Sequence, residues 1–244
     1  LEETMAVSDF AKSYQLYIHG DWEWTKDMIS RVKSAGYKGF CVTVDTANYS
    51  RRERPMLSGW TPVSRRNPTD PQWQASVTWE SIDRIKAEAG LPFMLKGIAT
   101  AEDAKIAVDH GVDVIWVSNH GGRQLDHGQG TMEMLPEIVE AVDGKAEIVL
   151  DGGVQRGSDV IKAIALGAKA VAVGKMQGWG LAAGGIEGIY RVLEILEEEI
   201  KVAMGLMGVT SIDQLGTDYV CPADPVVMPH EMSSWVNKRD DRIL

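Results

Sequence analysis

Apolar residues in this chain fall into short, nearly unbroken runs, separated by longer stretches in which they recur with helical spacing. Six runs stand out: YQLYI at 14–18, KGFCVTV at 38–44, PFMLKG at 92–97, DVIWVS at 113–118, AEIVLD at 146–151 and KAVAV at 169–173. A strand with one wet face alternates apolar and polar residues, whereas a strand covered on both faces reads as a continuous apolar run. The six runs are of the second kind, and the helical segments between them predict crossover helices joining the strands of a parallel sheet.

Two of these helices carry their own boundary signals. Thr78 precedes WESIDRIKAEAG, with Glu80 and Asp83 near the start and Gly90 as terminator; ATAEDAKIAVDHG repeats the design with Thr100 as N-cap, Glu102 and Asp103 in the first turn, and Gly111 supplying the left-handed residue. The longest periodic stretch, about 183–206, sets Ile186, Ile189, Val192, Leu193, Ile195 and Leu196 on one stripe and is expected to close the sheet or ring. Two segments fall outside this rhythm. The connection 46–77, with Pro55, Pro62, Pro68 and Pro71, is long for a compact domain and is expected to be an active-site loop. The tail 216–244 is expected to pack across the surface.

Composition narrows the function classes. With 44% apolar residues in 244, the chain can build a core that a disordered sequence cannot. No run of about 18 apolar residues occurs, the start LEETMAVSDF lacks the regions of a signal peptide, and Trp60 and Trp73 stand isolated in a polar loop, so a cytoplasmic protein without a membrane anchor is expected. The formal net charge of -10, with no basic patch, argues against a nucleic-acid partner. Cys41 and Cys221 make neither a metal spacing nor a disulfide framework; both are expected to be reduced and structural, and no metal site is expected. The length suits one α/β barrel or two small domains, and an initial Leu1 marks a start that is not expected to be native.

Every group with evident chemistry lies just past a strand, where α/β sheets and barrels place their sites. SNHGGRQLD, 118–126, holds His120 and Arg123 on one loop, where an imidazole can move a proton and a guanidinium can grip a carboxylate. An isolated loop His is more commonly a surface residue; Asn119, Gly121, Gly122 and Arg123 beside it favour a site. DGGVQRGSDVIKAIALGA, 151–168, and the Gly174–Lys175 pair after KAVAV form two glycine loops, with a helix from about 158 aimed at the same point. Glycine amides and a helix N-terminus suit a phosphate, although glycines also serve simply as turn formers. Barrels often build phosphate sites after strands seven and eight, which would make the last two strands those two. Lys96 ends PFMLKG at the mouth, where it can neutralise an anionic ring or substrate. In TVDTANYSRRER, 43–54, Asp45 can orient an imidazolium and Arg52 can pair with an anion, while Arg51, Arg52 and Arg54 equally fit a solvated basic cluster. Gln15 and Tyr17 flank Leu16 and so share a face; a core Tyr is the ordinary alternative.

Taken in order, SNHGGRQLD, TVDT followed by RRE, LKG, QLY and DGGVQRGSDVIKAIALGA resemble the FMN-dependent 2-hydroxy acid oxidases and dehydrogenases, the group of glycolate oxidase, lactate oxidase, mandelate dehydrogenase and the flavin domain of flavocytochrome b2. The resemblance runs from about residue 1 to about 210. It implies His120 as the base and Asp45 as its stabiliser, with Tyr17, Arg52 and Arg123 binding substrate. It implies FMN contacts from Gln15, Thr43, Lys96, Asp151, Gly152, Gly153, Gln155, Gly174 and Lys175. The implied reaction oxidises a small 2-hydroxy carboxylate to the 2-keto acid, stores the reducing equivalents on FMN and passes them to oxygen or another acceptor; the implied assembly is a homo-oligomer, a tetramer.

This sequence departs from the family pattern in two places. The family usually has Arg where this chain has Gln155, and Gly-Arg where it has Gly174–Lys175, a change that weakens bidentate phosphate recognition and leaves Arg156 as the replacement on offer. Family members also carry two further strands before QLY, with a substrate-binding tyrosine and a flavin-contacting Pro-Thr-Ala segment, and neither precedes Tyr14. The expected fold is therefore α/β, a (β/α)8 TIM barrel with about six of its eight units in this chain: a single incomplete domain 1–244 with strands three to eight, an N-terminal part missing, and an unpaired edge at YQLYI. The alternatives are another FMN- or phosphate-binding barrel enzyme, such as an isomerase using 151–175, and an inactive fragment or binding scaffold.

Overall fold

A computed structural model describes residues 1–61 and 72–223. The six apolar runs form six parallel strands: β1 (Ser13–Leu16), β2 (Gly39–Thr43), β3 (Phe93–Ile98), β4 (Val114–Val117), β5 (Glu147–Leu150) and β6 (Ala170–Val171). They are hydrogen-bonded in the order β1-β2-β3-β4-β5-β6. A doubly wound sheet reverses its strand order at a switch point. A sequential order with helical crossovers is instead an arc of a (β/α)8 barrel. Among the described residues, β1 pairs with β2 alone and β6 with β5 alone, so the arc is open at both ends.

The helices in chain order are α1 (Glu2–Ala6), α2 (Trp22–Ala35), α3 (Glu53–Leu57), α4 (Gln72–Ala75), α5 (Trp79–Ala89), α6 (Ala101–Asp109), α7 (Thr131–Val142), α8 (Gly157–Ala165) and α9 (Lys175–Met207). The expected caps are in place. Thr78 and Ser81 exchange reciprocal side-chain to backbone hydrogen bonds at the start of α5, which Gly90 ends at φ +57°. Thr100 accepts from the Asp103 amide at the start of α6, and Gly111 follows its end at φ +66°. The core lies between sheet and helices, where Leu16, Phe40, Val42, Phe93, Leu95, Ile115 and Leu150 meet Ile29, Val32, Ile82, Ile85, Leu135 and Ile138. Burying each such side chain is worth about 1.5–3 kcal/mol, which is why charged residues other than Lys96 stand at the ends of the runs.

The last helix differs from expectation. It is broken at Gly184 and Gly185, the latter at φ +60°; the part after the break, ending at Met207, is the expected 183–206 helix, and the part from Lys175 to the break is additional. Of the apolar stripe, Leu196 is buried, Ile189 and Val192 are half-buried, and Ile186, Leu193 and Ile195 are exposed. The physical reason is the open arc: α9 packs along α8, with no strand beyond β6 among the described residues to cover the rest. Helix and helix approach closely at Gly157, where a Cβ would fall 2.6 Å from Glu199 Cβ. In the connection 46–77 the structure forms α3 and α4; residues 62–71, with Pro62, Pro68 and Pro71, lie outside the described residues, as do 224–244 of the tail. Cys41 is buried as expected, whereas Cys221 is exposed and supports no core; both are free thiols.

Candidate active site

The site starts from the ends of β2, β3 and β4. Just past β2, Asp45 is seated by a bulge in β3, where the register shifts between Lys96 and Ile98. Gly97 lies there at φ +106°, and a Cβ on it would come 2.6 Å from Asp45 Cβ, so only glycine leaves room for the aspartate. Past β4 the chain turns through three left-handed residues, His120, Gly121 and Gly122, at φ +57°, +66° and +70°. A non-glycine residue in that region is uncommon. The turn is held by Asn119 Oδ1 accepting from Gly122 N at 3.0 Å and by His120 N donating to Ser118 Oγ at 3.1 Å.

This geometry sets His120 Nδ1 3.0 Å from Asp45 Oδ1, with side chains only 16% and 11% exposed. With Nδ1–H donated to the carboxylate, Nε2 is left as the free acceptor, the tautomer a general base needs. The edge of the Tyr17 ring faces His120 at a centroid distance of 6.3 Å. Burial raises the Tyr17 hydroxyl above its ordinary pKa, so it remains a protonated donor.

Beneath the pair lies a buried polar cluster. Lys96, 6% exposed, donates from Nζ to Ser118 Oγ at 3.0 Å and lies 3.3 Å from Asp151 Oδ2. Ser118 Oγ in turn donates to Asp151 Oδ1 at 2.5 Å. Alongside, Gln15 Nε2 donates to Thr43 Oγ1 at 2.6 Å and to Tyr17 Oη at 3.2 Å. The register pairs Thr43 with Lys96 and Lys96 with Trp116, placing all three in one layer. Trp116 Nε1 and Asp45 Oδ2 are buried without a hydrogen-bond partner among the described residues.

Sequence reasoning missed the residue that laces the β2 and β4 loops together. Gln124 Nε2 donates to the carbonyls of Asp45 (2.8 Å) and Asn48 (3.0 Å), while its Oε1 accepts from Arg52 Nη2 at 2.9 Å. Ser50 Oγ donates to the Arg123 carbonyl. Arg52 also lies 4.8 Å from the centroid of the Tyr49 ring. The Arg123 side chain is exposed and has no hydrogen-bond partner among the described residues. Ser118 and Gln124 lie inside SNHGGRQLD, so the only available signal was membership of that motif.

At the far end of the arc, Gly152 and Gly153 adopt φ +98° and +74°, and a Cβ on Gly153 or Gly174 would meet nothing within 4 Å. The expected positive end of the helix near 158 is occupied by carboxylates: Gln155 N and Arg156 N donate to Asp159 Oδ2, each at 3.0 Å, and Gly157 N donates to Glu199 Oε2 at 2.7 Å. Arg156 Nη2 pairs with Glu199 Oε1 at 2.7 Å, turning it away from the role of replacement cation. The open surface is therefore that of Gly152, Gly153, Gly174 and Lys175, whose Nζ donates to Gly121 O at 2.7 Å.

A barrel arc with a His–Asp pair at its mouth and paired glycine loops after its last two strands belongs to the class of α/β-barrel enzymes. The family model for FMN-dependent dehydrogenase matches residues 1–222, and the chain belongs to that family. It is similar to an L-lactate oxidase of Nostoc sp., 40% identical over 247 residues, covering 90% of this chain and 68% of the relative. It also resembles 2-hydroxyacid oxidase 1 of Mus musculus, 42% identical over 223 residues, with 81% and 60% covered. A solved structure of a mandelate oxidase mutant with a monooxide FMN adduct superposes with a TM-score of 0.75 at 43% identity, covering 87% of this chain and 63% of that one. The chain thus spans about two thirds of the length of these relatives.

Proposed function

We propose that this chain carries the oxidising site of an FMN-dependent 2-hydroxy acid oxidase, which converts a small 2-hydroxy carboxylate to its 2-keto acid, with oxygen or another acceptor taking up the reducing equivalents. The observation that carries this reading is the His120–Asp45 pair standing over the Lys96–Ser118–Asp151 cluster. Bound FMN supplies the two-electron acceptor that side chains cannot. The residues fit such a group: Lys96 and Thr43 offer a cation and a hydroxyl in one layer with Gln15 bonded to Thr43, Trp116 Nε1 is buried without a partner among the described residues, and the surface over Gly153 and Gly174 is open.

In this reading His120 Nε2 takes a proton from the substrate as it is oxidised. Asp45, fixed through Nδ1, stabilises the imidazolium that forms. Tyr17 donates its hydroxyl to the substrate, and Arg52 and Arg123 answer its carboxylate; Arg52 is already held by Gln124, while Arg123 has to turn in from solvent. Lys96, with Gln15, Thr43 and its partner Asp151, would hold the ring of FMN, and Gly152, Gly153, Gln155, Gly174 and Lys175 would border its phosphate arm.

An anaerobic screen tests this directly: FMN is added, and oxidised-flavin absorbance is followed with short, long and aromatic 2-hydroxy acids. Bleaching by at least one acid is expected, and His120→Gln should retain FMN but abolish bleaching. A wild-type protein that neither binds FMN nor bleaches with any acid would overturn the reading. A homo-oligomer, of four copies by family likeness, goes with this reading and is read by light scattering. A cytoplasmic location goes with this reading, and cell fractionation reads it; no helix among the described residues is long and apolar enough to cross a membrane.

A further inference from the structure

Lys175 and Gly121 are 54 residues apart in sequence, yet Lys175 Nζ donates to the Gly121 carbonyl at 2.7 Å. A Cβ on Gly121 would lie 3.3 Å from Lys175 Cε, so the lysine stem runs along the turn that holds His120 in its left-handed conformation. The donors at the start of α8 are committed. Arg156 and the Gly157 amide are held by Glu199, and the Gln155 and Arg156 amides by Asp159. An anion placed there would have to displace a carboxylate. Lys175 has no carboxylate partner among the described residues, and it borders the open surface over Gly174.

An ammonium carries three donors on a flexible stem, whereas a guanidinium presents a rigid fork that one anion can occupy bidentately. With one donor on Gly121 O, Lys175 has two left for a phosphate. We propose that Lys175 is a positioning residue that ties the His120 turn to the cofactor's phosphate, so that phosphate occupancy orders the catalytic turn. This rests on the FMN reading above and adds to it a coupling between two parts of the site. The physical basis is entropic. An exposed lysine shared between a carbonyl and water holds the turn weakly, and a doubly charged phosphate immobilises the same ammonium and so strengthens its hold on Gly121.

FMN and riboflavin share the ring and differ in the phosphate, which makes them the probes. Flavin affinity is read by fluorescence titration, and amide exchange over 118–126 is read by mass spectrometry at saturating flavin. In the wild type, FMN is expected to slow exchange across the turn beyond what riboflavin does. Lys175→Ala, an exposed change that circular dichroism should show folded, is expected to bind FMN about ten- to a hundredfold more weakly, leave riboflavin affinity unchanged, and lose the FMN-specific protection. Lys175→Arg should recover most of the FMN affinity. Equal protection of the turn by both flavins in the wild type would overturn the coupling, as would full FMN-specific protection in saturated Lys175→Ala, while FMN binding itself stands. If the wild type binds neither flavin, the functional reading falls and the coupling falls with it.

Discussion

The buried Lys96–Asp151 pair invites a double-mutant cycle whose size follows from its surroundings. Lys96→Met keeps the stem and removes the ammonium. Asp151, whose side chain is only 17% exposed, would then retain the Ser118 hydroxyl at 2.5 Å as its remaining partner among the described residues. Breaking one side of a buried pair costs about 3–5 kcal/mol. The surviving hydroxyl places this case at the low end, about 3 kcal/mol. Asp151→Asn keeps the shape and leaves the ammonium facing Ser118 Oγ and an amide oxygen, a loss of about 2 kcal/mol. The combined variant has no charge to desolvate and keeps a neutral hydrogen bond from Ser118, so it should lose about 2 kcal/mol rather than the total of the single losses, a coupling of about 3 kcal/mol. Urea unfolding followed by tryptophan fluorescence measures each stability, provided the slopes agree. If the combined loss equals the total of the single losses within about 0.5 kcal/mol, the two groups do not interact and the cluster has been misread.

Two further outcomes follow from other parts of the structure. Gly97→Ala has to hold a side chain at φ +106° and 2.6 Å from Asp45 Cβ; strain and overpacking together should remove about 2–4 kcal/mol, and an unchanged melting curve would show that β3 does not seat Asp45. The Cys41 thiol is pushed up to about 12 by burial, so iodoacetamide at mildly alkaline pH should label exposed Cys221 alone in the folded protein and both cysteines in urea. Between the unfolded value near 9 and that raised value the folded state binds the extra proton, so stability should fall as pH rises through this window and fall less steeply in Cys41→Ala.

Much of the fold is legible in the sequence because a strand buried on both faces cannot hide. The apolar runs and the Thr78 and Thr100 caps are local signals with local causes. The start of α9 is not legible, since its first turns, KMQGWGLAAGG, have no apolar period and six of these eleven residues are glycine or alanine. Its stripe is legible as a helix face, but its burial depends on what lies beyond β6. In the site, His120, Asp45, Lys96 and Arg52 are visible by residue type, and the structure brings them together. Gln124, Ser118 and Trp116 carry neither charge nor period, so their contacts emerge only with distances. The α8 N-terminus shows the limit best. Spacing marks it as a phosphate seat, yet Glu199, 42 residues away from Gly157, supplies the anion instead.

The placement of these groups also ties the site to the ends of the arc. Gln15 and Tyr17 lie on or just past β1, one open edge, and Gly174 and Lys175 follow β6, the other. The His120 turn lies between them and is connected to both, through the Tyr17 ring on one side and the Lys175 ammonium on the other. Unpaired edge amides and carbonyls are answered by water or by another strand. On the proposed reading whatever answers them would border the substrate on the β1 side and the phosphate on the β6 side, and pairing at the edges would reach His120 through two short chains of contacts rather than through the core.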